Sequence, residues 1–276
     1  MLKKHRSLPA PVLFSCAAGG FIVQWEKETS GGGRAVEKTD WLWPGGVRYV
    51  YDEAAFRPGT DTFLLGAFPK LWRGARVCDL GAGIGLLGLL LLAREPSLRV
   101  TNVELQAHAA DLARRNAEEN GFAEQITCLR ADLRDKGQLP AAGSFDLVVA
   151  NPPYFAPHSG ALPPDPARRD ARAETSCTLA DVCAATGRLL RWGGQFCLVF
   201  RTERLAELLE TLRRSGLEPK RLRLVQHDVA SAPSLLLLES RRGGRPGLAV
   251  EPTLLLRDAD GRETDETRRI YFRDKE

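Results

Sequence analysis

The sequence predicts an α/β domain built on a doubly wound, mostly parallel sheet of about seven strands. Three observations predict it. Short apolar runs alternate with segments of helical periodicity from Arg76 onward, a glycine-rich turn follows the first run, and an acid closes each of the first three runs. The 276 residues carry a net charge of +4, with 43% hydrophobic and 27% charged residues. That usage excludes disordered, collagen-like and coiled-coil chains, and the small positive balance announces no polyanion partner.

At the N-terminus, Lys3, Lys4 and Arg6 ahead of the apolar Pro11 to Ala18 imitate a secretion signal, but Pro9, Pro11, Gly19 and Gly20 break it. Residues 1–40 read as a flexible leader or as the product of a mis-assigned start codon, with Ser30 to Gly33 as a linker. An N-terminal segment, 41–75, then precedes the main domain, 76–240, and a C-terminal extension, 241–276, packs on it.

The strands are Val77 to Leu80, Val100 to Val103, Ile126 to Leu129, Phe145 to Ala150, Gln195 to Phe200, Leu222 to Val225 and Leu235 to Leu238. Continuous apolar runs of this kind suit strands covered on both faces. Helices are expected at Leu86 to Arg94, Ala107 to Asn120, Leu179 to Arg191 and Arg204 to Ser215, with Asn120-Gly121 a left-handed stop. Only Gln226 to Pro233 separates the last two strands, too little for a crossover helix, so the final strand is expected antiparallel at the sheet's edge. Phe155 to Ser176 interrupts the alternation with prolines and with Arg168, Arg169 and Arg172, which Asp165, Asp170 and Glu174 offset in number. It fits a substrate lid or a solvated linker. The stretch Arg257 to Glu276 fits a docking tail or a capped edge.

Six scattered cysteines without a C-x-x-C pair read as reduced core residues of a cytosolic protein, and no zinc-type metal site is expected. Apolar stretches stay far below membrane-spanning length, so no membrane is expected as partner.

Asp79-Leu-Gly81-Ala82-Gly83-Ile-Gly85 follows a strand and opens a helix, so a nucleotide-like ligand can approach the backbone at the carboxyl edge of the sheet. Gly83, Gly85 and Gly88 also spell G-x-G-x-x-G, with Glu104 at the spacing of a dinucleotide fingerprint. That register starts two residues late, and Gly88 is better explained by helix packing. Acids at Asp79, Glu104 and Asp132, one after each of the first three strands, resemble the S-adenosylmethionine-dependent methyltransferase fold. The resemblance implies a Rossmann-like, doubly wound, seven-stranded sheet, mostly parallel with one antiparallel edge strand, and S-adenosyl-L-methionine as cofactor. It also implies that Glu104, followed by Leu105, accepts the ribose hydroxyls. Asp132, followed by Leu133, takes the adenine amine, and Asp79 lies near the cationic methionine end.

Asn151-Pro152-Pro153-Tyr154 after Phe145 to Ala150 selects the chemistry. A conjugated amine or amide nitrogen is a poor nucleophile. Two acceptors, the Asn151 side-chain oxygen and the Pro152 carbonyl, can hold both its N–H groups and steer the lone pair toward a sulfonium methyl. The prolines stiffen the turn and add no donor, and Tyr154 offers a ring on which a planar target stacks. Methyltransferases acting on adenine amines, guanine amines and a release-factor glutamine amide share this motif.

The segment Phe56-Arg-Pro-Gly-Thr60-Asp61-Thr62-Phe63-Leu-Leu-Gly-Ala-Phe68 is similar to the block before the first strand of bacterial tRNA1(Val) adenine-N6 methyltransferases. There the Gly-Thr-Asp turn lies over the cofactor, so 41–75 becomes a cofactor-covering segment. Read alone, Thr60 or Asp61 is the N-cap of a short helix. Asp146 to Phe155, Ala171 to Glu174, Arg204 to Leu209, Pro219 to Leu224 and Gly247 to Leu254 follow the same family's order, so the likeness runs from Trp41 to Phe272. It implies a tRNA substrate, whose phosphates Arg168, Arg169, Arg172, Lys220 and Arg221 would contact. Between Arg201 and Arg223 seven bases face four acids, which fits either an RNA-binding patch or a solvated helix face. The alternatives are a release-factor glutamine or an rRNA or DNA amino methyltransferase, and, in another class, an RNA- or cofactor-binding protein without turnover. The glutamine enzymes normally add an N-terminal helical domain, for which Gly31 to Gly33 and Pro44-Gly-Gly46 leave no pattern.

Overall fold

The computed structural model describes residues 37–52, 59–152 and 177–275. Five strands run parallel: β3 (Arg76–Leu80), β4 (Arg99–Glu104), β5 (Ile126–Arg130), β6 (Phe145–Ala150) and β7 (Leu190–Arg201). Their order in the sheet is β5-β4-β3-β6-β7, and it continues through β9 (Leu235–Arg242) and β8 (Leu217–Gln226). The antiparallel strand expected at the edge stands at that end of the sheet but one place in, since β9 pairs antiparallel with both β7 and β8. Burial explains the order. Leu235 to Leu238 are all buried, as a strand needs when it is covered on both faces and both edges. β8, whose residues alternate between buried and half-buried, is the last long strand at that end. Two short strands of the C-terminal extension, β10 (Ala249–Val250) and β11 (Leu254–Leu255), pair with β8.

Successive residues of the central strands point into two cores. Val77, Leu147, Val149, Val199 and Leu237 face one, and Cys78, Leu80, Val148, Leu198 and Leu238 face the other. The first core is closed by α1 (Thr60–Ala67), α2 (Leu86–Arg94) and α3 (Ala107–Glu119). The second is closed by α4 (Leu179–Leu189) and α5 (Leu205–Arg214). Gly121, at φ 74°, stops α3 as its sequence foretold.

Glu37–Trp41 (β1) and Arg48–Asp52 (β2) form an antiparallel hairpin, so the last residues assigned to the leader belong to the fold. The hairpin has a partner on α3. Asn116 accepts the Val50 N–H at 2.7 Å and donates to the Val50 carbonyl at 3.0 Å, and Asn120 repeats the pattern on Arg48 at 2.9 and 2.7 Å. Side-chain amides four residues apart on one helix face thus replace a neighbouring strand. The C-terminal stretch is a capped edge: α6 (Asp265–Ile270) packs on α1, and Phe272 is buried against Trp43, with ring centroids 5.1 Å apart.

Candidate active site

Chain order reverses between β3 and β6, and the loops at their carboxyl ends leave the same edge of the sheet, the usual ligand position in a sheet of this kind. The sequence-predicted residues Asp79, Gly81, Ala82, Gly83 and Gly85 lie on the β3 side, Asn151 and Pro152 on the β6 side, and Glu104 and Asp132 at the ends of β4 and β5.

Gly81, Gly83 and Gly85 have φ of 74°, 54° and 77°, a left-handed succession that only glycine adopts without strain. A Cβ on Gly81 would meet nothing within 4 Å, so the turn leaves open space, whereas one on Gly85 would stand 2.8 Å from the Asn102 amide. The turn is braced from three directions. Gly81 and Ala82 donate to the Val103 carbonyl at 2.9 and 3.1 Å, Gly83 donates to Glu104 Oε2 at 2.8 Å, and buried Asn116 donates to the Ile84 carbonyl at 3.0 Å. Asn116 therefore ties the hairpin to the glycine turn, a role that its place in an amphipathic helix did not reveal. Gly88 packs against Val100 and Asn102, as expected of a close helix contact.

Glu104 accepts one backbone donor on each oxygen, from Gly83 and from Gln106, both at 2.8 Å. Each oxygen keeps a second lone pair for a hydroxyl. Asp79 is 1% exposed, and its Oδ2 has no hydrogen-bond partner. Burial, and secondarily the charge of Glu104, pushes its pKa up to about 8. A buried carboxyl with an orphaned oxygen beside an open glycine turn fits a cationic ligand group. Leu105 is exposed beside Glu104, and Leu133 is half-buried against the second core.

Asp132 differs from the expectation of an open acceptor. Arg134 binds it through Nε at 2.9 and 3.0 Å and Nη2 at 2.7 Å, and the Arg134 N–H adds a contact at 2.9 Å. These bonds hold the Asp132 carboxyl below its ordinary value. A ligand amine reaches it only by sharing or displacing that guanidinium. The only sign in the sequence was an arginine two residues on, short enough to fold back.

Gly59, without a side-chain bond, occupies the N-cap of α1, so neither Thr60 nor Asp61 is the cap. Thr62 in the first turn accepts a hydrogen bond from Asn151 Nδ2 at 3.1 Å. Pro153, Tyr154, Arg168, Arg169 and Arg172 lie outside the described residues. Arg221 does not face solvent. It is 13% exposed, bonds Glu239 at 2.9 Å, Glu251 at 3.3 Å and the Phe68 carbonyl at 2.9 Å, and lies 3.8 Å over the Phe68 ring. Lys220 bonds the Arg245 carbonyl. Four more bases of the stretch are ion-paired, Arg204 with Glu207, Arg213 with Glu218, Arg214 with Glu210 and Arg223 with Glu266. Much of its charge thus enters the fold's own ion pairs. Among the described residues no cluster of three or more His, Cys, Asp or Glu can hold a metal, and no helix is long and apolar enough to cross a membrane.

Comparison with known proteins agrees with this geometry. The family model described as "Methyltransferase small domain" matches residues 48–215. The tRNA1(Val) (adenine(37)-N6)-methyltransferase of Dickeya chrysanthemi (strain Ech1591) is 36% identical over 219 residues, 77% of this chain and 85% of the relative. Its namesake in Serratia proteamaculans (strain 568) is 33% identical over 224 residues, 80% and 84% of the two chains. Among solved structures, one titled a predicted O-methyltransferase, from Agrobacterium tumefaciens, superposes with a TM-score of 0.65 at 22% identity, covering 77% of this chain and 96% of that one, a likeness of fold. By the family model and the relatives, the chain belongs to the methyltransferase small-domain family.

Proposed function

We propose that the protein is an S-adenosylmethionine-dependent N-methyltransferase whose acceptor is the N6 amine of an adenosine in tRNA. The observation that carries this reading is that one edge of the sheet holds both the buried Asp79 carboxyl, whose Oδ2 has no hydrogen-bond partner, and, after β6, Asn151 and Pro152, whose amide and carbonyl oxygens can accept an amine. The relatives named above, called tRNA1(Val) (adenine(37)-N6)-methyltransferases, support the choice of acceptor.

When bound, S-adenosylmethionine supplies a methyl group made electrophilic by its sulfonium sulfur. In this reading Asp79 receives the cationic methionine end, with Thr60 and Asp61 covering it. Gly81, Ala82, Gly83 and Gly85 allow close backbone approach, Glu104 accepts the two ribose hydroxyls, and Leu105 and Leu133 flank the adenine. Asp132 accepts the adenine amine once Arg134 withdraws one of the N–H groups that it donates to the carboxylate. Asn151 Oδ1 and the Pro152 carbonyl accept the two N–H groups of the target, which draws its lone pair out of conjugation and aims it. Pro153 stiffens the turn, and Tyr154 stacks on the base. Positioning and fixed dipoles lower the barrier. Arg168, Arg169 and Arg172 remain the tRNA contacts of this reading, whereas Arg221 is withdrawn from it.

Incubation with methyl-labelled S-adenosylmethionine and total tRNA, followed by nucleoside mass spectrometry, tests the proposal. It predicts label in N6-methyladenosine. Label in a release factor with none in tRNA would overturn it.

A further inference from the structure

Helix α1 adds nothing to the sheet, yet it is held at its end and along its flank. Arg94 donates to the Gly66 and Pro69 carbonyls at 2.6 and 3.0 Å, and Arg221 donates to the Phe68 carbonyl at 2.9 Å. Two guanidinium groups thus stand where the helix dipole is negative and its last carbonyls lack helical partners. On its flank Phe63 packs on Tyr271 with centroids 5.2 Å apart. So anchored, the first turn delivers Thr62, 5% exposed, to Asn151, whose Nδ2 donates to Thr62 Oγ1 at 3.1 Å.

A carboxamide is nearly symmetric in shape and opposite in chemistry at its two ends, because half a turn about its last torsion exchanges an acceptor for two donors. Only the oxygen end can receive an amine N–H, and the nitrogen end would repel it. Resting on the N-methyltransferase reading above, we propose that Thr62 is a positioning residue. By accepting from Nδ2 it holds the nitrogen limb of Asn151 toward α1, and the oxygen limb is then the one presented to the acceptor amine. The hydroxyl that accepts from the amide comes from α1, outside the Asn-Pro-Pro-Tyr motif.

Valine matches threonine in shape but cannot accept a hydrogen bond, whereas serine can. Thr62→Val is therefore expected to lower kcat about tenfold, the rate equivalent of one lost hydrogen bond, with KM for tRNA and the calorimetric Kd for S-adenosylmethionine within about twofold. Thr62→Ser is expected to recover most of the rate. A purely structural role would instead move the melting temperature and cofactor affinity together with the rate. Label transfer is measured to total tRNA and, separately, to a cell extract freed of tRNA. If the wild type labels only the second, the tRNA reading fails, and the ratio of wild type to Thr62→Val is read there, so the inference is still tested. An undiminished kcat in Thr62→Val, or a loss in Thr62→Ser as deep as in Thr62→Val, overturns it. Label in neither fraction overturns both.

Discussion

Burial strips the Asp79 carboxyl of water, and the folded chain without ligand holds it protonated up to about pH 8, far above the ordinary value of 3.8. Between those values the folded state carries a proton that the unfolded state has released, so stability without cofactor falls as pH rises through that window. A cationic ligand that ionises Asp79 expels the proton. Cofactor affinity should therefore climb with pH, by up to about tenfold per unit below pH 8, and Asp79→Asn should flatten the slope, as calorimetry across pH 6 to 8 can check. In the proposed reading the Asn151 amide holds the acceptor amine, so Asn151→Ala should reduce kcat about a hundredfold while cofactor Kd, to which Asn151 contributes only as one of many contacts, changes less than about threefold. At this scale the sequence made the acids and the motif readable, since each stands at a fixed offset from a strand. Thr62, Arg134 and Asn116 were hidden, because their partners lie elsewhere in the chain and no local spacing encodes a side-chain bond across 89 positions.

Two elements carry the site, the glycine turn and α1. The turn was legible as glycines that need left-handed backbone, and Gly85 adds a close approach to Asn102 that the sequence did not show. Gly85→Ala should destabilise the fold by about 1–3 kcal/mol in urea titration, from the left-handed conformation and the crowded amide together. Helix α1 was legible as a block, but its anchors were not. Arg221 looked like an RNA contact because charge alone cannot tell a solvated guanidinium from one enclosed by two carboxylates. Arg221→Ala should lower stability by about 2–4 kcal/mol by leaving Glu239, 4% exposed, short of its partner. Unchanged stability with a raised KM for tRNA would return Arg221 to the RNA surface. Element ends shifted too. The helix expected to run to Arg191 ends at Leu189, and the strand expected from Gln195 starts at Leu190, so β7 follows α4 directly.

For the whole molecule, the parallel half of the sheet was readable from contiguous apolar runs joined by helices, because handed crossovers leave few ways to arrange them. The place of β9 was not, since a short connection specifies antiparallel pairing but not which strands will flank it. The hairpin escaped detection because its exposed face is polar and its stability comes from Asn116 and Asn120 on a distant helix. What unites the proposed function is that the loops after β3 and β6 leave the same edge of the sheet, which brings the Asp79 carboxyl and the Asn151 amide to one end of the fold. The most direct measurement of that claim is methyl transfer to a valine tRNA transcript and to the same transcript with the adenine at position 37, the base in the relatives' name, replaced by guanine. Stoichiometric N6-methyladenosine is expected in the first and none in the second. Equal labelling of both, or labelling of neither by a protein that binds S-adenosylmethionine, would contradict it.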